Sequence, residues 1–170
     1  TNVEDIWDMY LMMVLKKPPE KDIVSTLQPL ILFPMSKNKK YPLNKSEEAW
    51  KIDLSPDEYK ILREKGTEFP FTGKYNDHFE EGIYICKGCK TPLYESKTKF
   101  DSHCGWPSYD QCIEDTLELI PDHSSGMLRT EIVCANCGGH QGHVFKDGPT
   151  KTGLRYCVNS ASIDFIKKAE

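Results

Sequence analysis

The spacing of apolar positions changes near residue 45. Before that point Ile6, Trp7, Tyr10, Met13 and Val14 recur at the period of one helix face. Lys16-Lys17-Pro18-Pro19 ends that helix, because proline cannot continue the hydrogen-bond ladder. A second apolar stretch over residues 23–35 is interrupted by Pro29 and Pro34, and residues 36–42 read as a linker. Ser55-Pro56-Asp57-Glu58 predicts a new helix start: serine as N-cap, proline at the first helical position, acids in the first turn. Tyr59, Ile61 and Leu62 form its apolar side, and Gly66 is placed to end it.

Beyond that helix the apolar runs shorten and alternate with turn residues. Gly82-Ile-Tyr-Ile-Cys86, Gly126-Met-Leu-Arg-Thr-Glu-Ile-Val-Cys134 and Gly153-Leu-Arg-Tyr-Cys-Val158 have the length and β-branched content of strands. The pattern predicts a helical lead-in followed by a mainly β, antiparallel domain. Residues 1–44 form an N-terminal extension or linker, and residues 45–170 the domain. The helical stripe in the extension fits packing on its own domain, the tail of an upstream domain, or a docking helix.

Seven cysteines sharpen this picture. Cys86-Lys-Gly-Cys89 and Cys134-Ala-Asn-Cys137 are paired knuckles, each directly after a β-type run, where a hairpin turn is expected. Four thiolates from two hairpins make a closed tetrahedral shell for a structural Zn²⁺, stapling the domain together. A thioredoxin-like redox pair would open a helix in a βαβ setting, which this pattern lacks. His140 and His143 sit too close to Cys134 and Cys137 for a finger-type site.

Cys104, Cys112 and Cys157 stand alone. In Arg155-Tyr-Cys157-Val-Asn159, strand alternation aims Arg155, Cys157 and Asn159 one way, and a nearby cation favours thiolate. The alternative for Cys157 is a buried structural cysteine. Cys104 lies in Ser102-His-Cys104-Gly-Trp106-Pro, a loop that reads either as an active-site rim or as a turn whose Trp106 caps the core. Cys112 reads as structural. Gly138-Gly-His140-Gln-Gly-His143 joins two imidazoles to three glycines, a setting for close backbone approach and proton transfer.

Charge and length narrow the classes. With 22 Lys+Arg against 26 Asp+Glu the net charge is −4, a poor basis for binding nucleic acid. No apolar run approaches the roughly 20 residues that span a bilayer. Paired knuckles and an odd cysteine count fit a reducing compartment, cytoplasmic, or organellar if a targeting segment was removed.

Gly66-Thr-Glu-Phe-Pro-Phe-Thr-Gly73, Lys99-Phe-Asp-Ser-His-Cys-Gly-Trp-Pro-Ser108, His140-Gln-Gly-His-Val-Phe145 and Gly153-Leu-Arg-Tyr-Cys-Val-Asn-Ser-Ala-Ser162 together resemble the methionine-R-sulfoxide reductase B family, over residues 46–165. Phe69, His103, Tyr109 and Gln141 depart from the family's frequent residues without removing a reacting group. The resemblance implies antiparallel sheets in a partly barrel-like, zinc-stapled domain. It implies thiol-dependent reduction of methionine (R)-sulfoxide, protein-bound or free, as repair of oxidative damage. It makes Cys157 the catalytic cysteine and Cys104 the resolving one, linked as a disulfide that thioredoxin reduces. Trp106 becomes the contact for the substrate methyl group, and His140, His143, Arg155 and Asn159 the polar surround of the sulfoxide. Two rival classes remain: a non-enzymatic zinc-ribbon module, and a Cys-His hydrolase using Cys157 and His143.

Overall fold

The structure is a computed structural model that describes residues 2–15 and 41–168. The expected stop at Lys16–Pro19, the apolar stretch at 23–35 and most of the 36–42 linker lie outside the described residues.

Helix α1 spans Val3–Leu15. At its start the Asn2 side chain accepts from the Asp5 amide (2.8 Å) and the Asp5 carboxylate accepts from the Asn2 amide (3.1 Å), which satisfies two donors the helix itself cannot. Its expected stripe faces the domain: Ile6 is buried against Ile83, Ile85 and Ile113, flanked by Trp7, Tyr10 and Met13. The Tyr10 hydroxyl donates to Glu95 at 2.7 Å.

Two short helices follow, α2 at Glu47–Asp53 and α3 at Pro56–Leu62. The predicted α3 start is a full capping box, with Ser55 Oγ accepting from the Glu58 amide and Glu58 returning to the Ser55 amide. The helix ends at Arg63, three residues before Gly66, whose amide closes the last turn on the Lys60 carbonyl at 3.0 Å. Trp50, Leu54 and Leu62 carry the pair onto the core.

Among the described residues nine strands make two antiparallel sheets. β1 (Gly82–Cys86), β2 (Pro92–Glu95) and β9 (Ile163–Lys167) form one, in the order β2-β1-β9. The other contains β3 (Lys99–Phe100), β4 (Ser108–Tyr109), β5 (Leu117–Asp122), β6 (Arg129–Cys134), β7 (His140–Phe145) and β8 (Arg155–Val158), ordered β3-β4-β8-β7-β6-β5. Its first and last strands are not neighbours, so it stays open. The mainly β, antiparallel architecture is as expected.

β1 is buried along its whole length, because α1 covers Ile83 and Ile85 while Tyr84 and Cys86 face the main core. That core is aromatic: the rings of Tyr94 and Tyr109 stack 4.2 Å apart, edged by Tyr84 and Tyr156. Both knuckles are hairpin turns, β1–β2 and β6–β7. Among the described residues no helix is long and apolar enough to cross a membrane.

Candidate active site

Register places the reactive residues in one row. Across the larger sheet Ser108 pairs with Cys157, Cys157 with His143, and His143 with Glu131. Side chains of directly opposed residues share a face, so four strands present these groups on one surface. His140 and His143 are three apart, and a regular strand would put them on opposite faces. The β6–β7 pairing slips at Gln141: Ile132 opposes Gly142, but Val133 opposes His140. This one-residue bulge returns His140 to the face of His143, and the two rings lie 5.5 Å apart, edge to face.

Glycine is required between them. A Cβ at Gly142 would sit 2.0 Å from the Cys157 carbonyl oxygen, at a φ of 151°. The backbone of β8 therefore passes close enough to hold Cys157 beside the histidines.

Each imidazole is fixed by a carboxylate distant in sequence. His143 Nε2 meets Asp122 Oδ2 at 2.7 Å, and Asp122 also receives Arg129 at 2.9 Å. The Ser124 amide and hydroxyl, then His143 and Arg129, hold the Asp122 carboxyl well below the usual range. Burial pushes the His143 pKa down, and its bond to Asp122 only partly opposes this. His140 Nδ1 meets Glu131 Oε1 at 2.7 Å, both side chains being 3% exposed, and Lys65 Nζ reaches the other Glu131 oxygen at 2.7 Å. Burial works against the Glu131 charge, but His140 and Lys65 outweigh it and keep its pKa low.

A cavity of about 130 Å³ opens over this surface. Trp106 and Phe145 make its apolar wall, and Thr67, Arg129, His143 and Asn159 its polar one, with Cys157 exposed to it. The Trp106 indole N–H donates to the Glu68 carbonyl at 3.2 Å, which sets the plane of the ring.

Cys104 Sγ lies 3.9 Å from Cys157 Sγ. Ser102 Oγ donates to Cys104 at 2.9 Å, and Ser108 Oγ lies 3.6 Å away. The loop can turn here because Gly105 has a φ of 90° and lies against Pro70 and Phe71, with no room for a side chain. The Cys157 thiol, and then the serine hydroxyls, hold the Cys104 pKa well below that of a free thiol. Cys157 is driven the other way, first by its bond to Cys104, then by burial; only Arg155 opposes. The two thiols therefore titrate as one coupled pair, in which a charge on either sulfur is held by the S–H of the other.

Two other expected groups differ in detail. Arg155 is bound by Asp147 through two contacts, 2.9 and 2.8 Å, so its charge is shared between that carboxylate and Cys157. Asn159 reaches the cavity wall, yet its amide serves the backbone: Oδ1 accepts from the Glu68 amide and Nδ2 donates to the Gln141 carbonyl. Asp122, Glu131 and Arg129 escaped the sequence reading, although Arg129 and Glu131 alternate on β6. Cys112 is half-buried, and burial pushes its thiol pKa up, consistent with a structural residue.

The second cysteine cluster lies between the hairpins. Sγ atoms of Cys86, Cys89, Cys134 and Cys137 all fall within 4.8 Å of one another, with Cys86–Cys137 at 3.7 Å and Cys89–Cys134 at 3.5 Å. Zn–S bonds of about 2.3 Å put tetrahedral sulfurs roughly 3.8 Å apart, so the donor set fits such an ion. Gln141 Nε2 donates to Cys86 Sγ at 3.6 Å, and the Thr91 hydroxyl lies 3.1 Å from Cys89 Sγ.

Residues 54–167 match the family model described as the SelR domain. The chain is 52% identical over 129 residues to "Peptide methionine sulfoxide reductase MsrB" of Leptospira interrogans serogroup Icterohaemorrhagiae serovar Lai (strain 56601), covering 75% of this chain and 98% of the relative. It is 53% identical over 133 residues to the protein of that name from Variovorax paradoxus (strain S110), covering 75% and 98%. It is 55% identical over 125 residues to the one from Bradyrhizobium diazoefficiens, covering 73% and 90%.

Proposed function

Since this chain belongs to the SelR-domain family of methionine-R-sulfoxide reductase B proteins, we propose that it reduces methionine (R)-sulfoxide to methionine, as repair of oxidised protein. The observation that carries this reading is the Cys157–Cys104 pair, 3.9 Å apart at a cavity with one apolar and one polar wall.

Trp106 and Phe145 are suited to the thioether methyl group, and the His143 side to the sulfoxide oxygen. Arg155 favours charge on Cys157, so the pair's charge can move there as the shared proton passes to Cys104. The Cys157 thiolate attacks the sulfoxide sulfur while the oxygen takes up a proton relayed by His143, with His140 behind it. The oxygen ends on Cys157 as a sulfenic acid and methionine leaves. Cys104 then attacks the Cys157 sulfur, forming the disulfide and releasing water once the leaving oxygen is protonated. Thioredoxin, as dithiol reductant, restores both thiols. The two sulfurs must close from 3.9 Å to a bond of about 2.0 Å, a movement within reach of a glycine-containing loop.

Cys86, Cys89, Cys134 and Cys137 would hold a structural Zn²⁺, whose part would be to cross-link the two hairpins. Incubation with racemic methionine sulfoxide and dithiothreitol, followed by chiral chromatography, tests the function. Loss of the R epimer alone is expected; persistence of both epimers would return the site to the hydrolase or binding-module reading.

A further inference from the structure

Two aromatic side chains on the loop that continues from Thr67 in the cavity wall have no part in the chemistry above. Phe69 is 81% and Phe71 67% exposed, against a core that buries most of the other large rings. Single exposed apolar residues are ordinary on a protein surface. These two are held out by a loop with little freedom. The Glu68 carboxylate accepts from the Ser160 amide (2.6 Å) and the Ala161 amide (3.1 Å), and the Glu68 amide donates to Asn159 (3.1 Å). The Phe69 carbonyl accepts from the Thr72 hydroxyl at 2.8 Å, and the Phe71 amide donates to the Gly105 carbonyl at 2.7 Å. Phe71 itself sits at a φ of 64°, a conformation that a bulky side chain adopts at a cost and that tends to persist where the surroundings enforce it.

The cavity dictates what must lie on this rim. At about 130 Å³ it is well below the roughly 300 Å³ at which pockets enclose whole small ligands. It has room for one side chain, so the backbone of a substrate runs outside it. Its cationic wall residue, Arg129, is already paired with Asp122, and no carboxylate lines it to take a free ammonium group. The loop bearing Phe69 and Phe71 continues directly from Thr67 in the cavity wall and holds Trp106 through the Glu68 carbonyl.

We propose that Phe69 and Phe71 form a landing surface for an apolar residue flanking methionine sulfoxide in an extended polypeptide, and so determine which oxidised segments are repaired. This rests on the reading of the cavity as the methionine sulfoxide site. Segments of that kind are buried in folded proteins, so the surface directs the enzyme towards damaged chains that have opened. Because the loop that bears the two rings leaves the cavity wall at one point, Thr67, the preference acts on one side of the oxidised residue.

The test uses blocked peptides containing methionine (R)-sulfoxide, with leucine, glycine or aspartate placed immediately before it in one series and after it in another. Burial of one such side chain against two rings predicts kcat/KM roughly tenfold higher for leucine than for aspartate in one series, and about equal values in the other. Phe69→Ser and the double variant Phe69→Ser/Phe71→Asn should bring the leucine-to-aspartate ratio close to one; asparagine is chosen because it tolerates the backbone at position 71. Equal rates for leucine and aspartate peptides in the wild-type protein would overturn the landing surface and leave the reductase intact. Reduction of none of the peptides would overturn the reductase reading, and the surface with it. A ratio unchanged in a folded double variant would also refute the assignment to these two residues.

Discussion

The charge shared by Cys104 and Cys157 gives the most direct test of the site's electrostatics. Their sulfurs are 3.9 Å apart, with Ser102 and Ser108 beside Cys104 and Arg155 acting on Cys157. Two unit charges about 4 Å apart, at an effective dielectric near 20, interact by roughly 4 kcal/mol. At 1.36 kcal/mol per pH unit that separates the two ionisations by about 3 units. Replacing Cys104 with serine removes the neighbouring charge but keeps a hydroxyl in its place. The Cys157 pKa should then fall by about 3 units from the second step of the wild-type protein. The reverse change, Cys157→Ser, removes the largest stabiliser of the Cys104 thiolate and should raise that thiol's pKa. Alkylation with iodoacetamide at a series of pH values, read by peptide mass spectrometry, resolves these two sulfurs from the other five cysteines. If both sulfurs titrate together near 8.5 in the wild type and Cys157 is unmoved in Cys104→Ser, the coupling argument is wrong.

Roles also separate in turnover. Cys157→Ser should abolish reduction even in a single cycle, whereas Cys104→Ser should complete one cycle and stop when thioredoxin is the reductant; normal cycling would assign resolution to another thiol such as Cys112. His143 is depressed by burial and partly restored by Asp122, so Asp122→Asn should lower its pKa further. Activity needing protonated His143 is lost as pH rises through that pKa, so the alkaline limb of the single-turnover rate should shift to lower pH; an unmoved limb would remove His143 from the proton path. Cys86→Ser/Cys134→Ser should abolish zinc binding and lower the melting temperature sharply, since structural-site binding energy is folding energy. Retained melting temperature after metal loss, measured with zinc content, would contradict the staple.

Local signals carried much of the fold. Ser55 and Glu58 were legible as a helix start because a capping box is completed within four residues. The knuckles marked hairpin turns, and short apolar runs between turn residues placed β1, β6 and β8. What was hidden depends on register and on strand order. Nothing in His140-Gln-Gly-His143 announces a bulge, since the slip is defined by β6, and without it the two rings point apart. Asp122, Glu131 and Asp147 are ordinary acidic residues until pairing sets them against His143, His140 and Arg155. The coupling of the two reactive thiols depends on the loop that brings Cys104 to 3.9 Å from Cys157, with the Ser102 and Ser108 hydroxyls beside it. Alternation aimed Asn159 with Cys157, and it does line the cavity, but the backbone bonds of its amide come from Glu68 and Gln141, which sequence alone does not bring near.

Gln141, the extra residue in β7, faces both ways. Its side chain meets a sulfur of the four-cysteine cluster, and its carbonyl receives the backbone amide of Asn159 at 2.8 Å and that residue's side-chain amide at 3.3 Å. Deleting this single position would do more than shorten a strand. It would restore an uninterrupted ladder and leave the two imidazoles two positions apart on one face, while removing a residue that joins the sulfur cluster to the catalytic wall by both side chain and backbone.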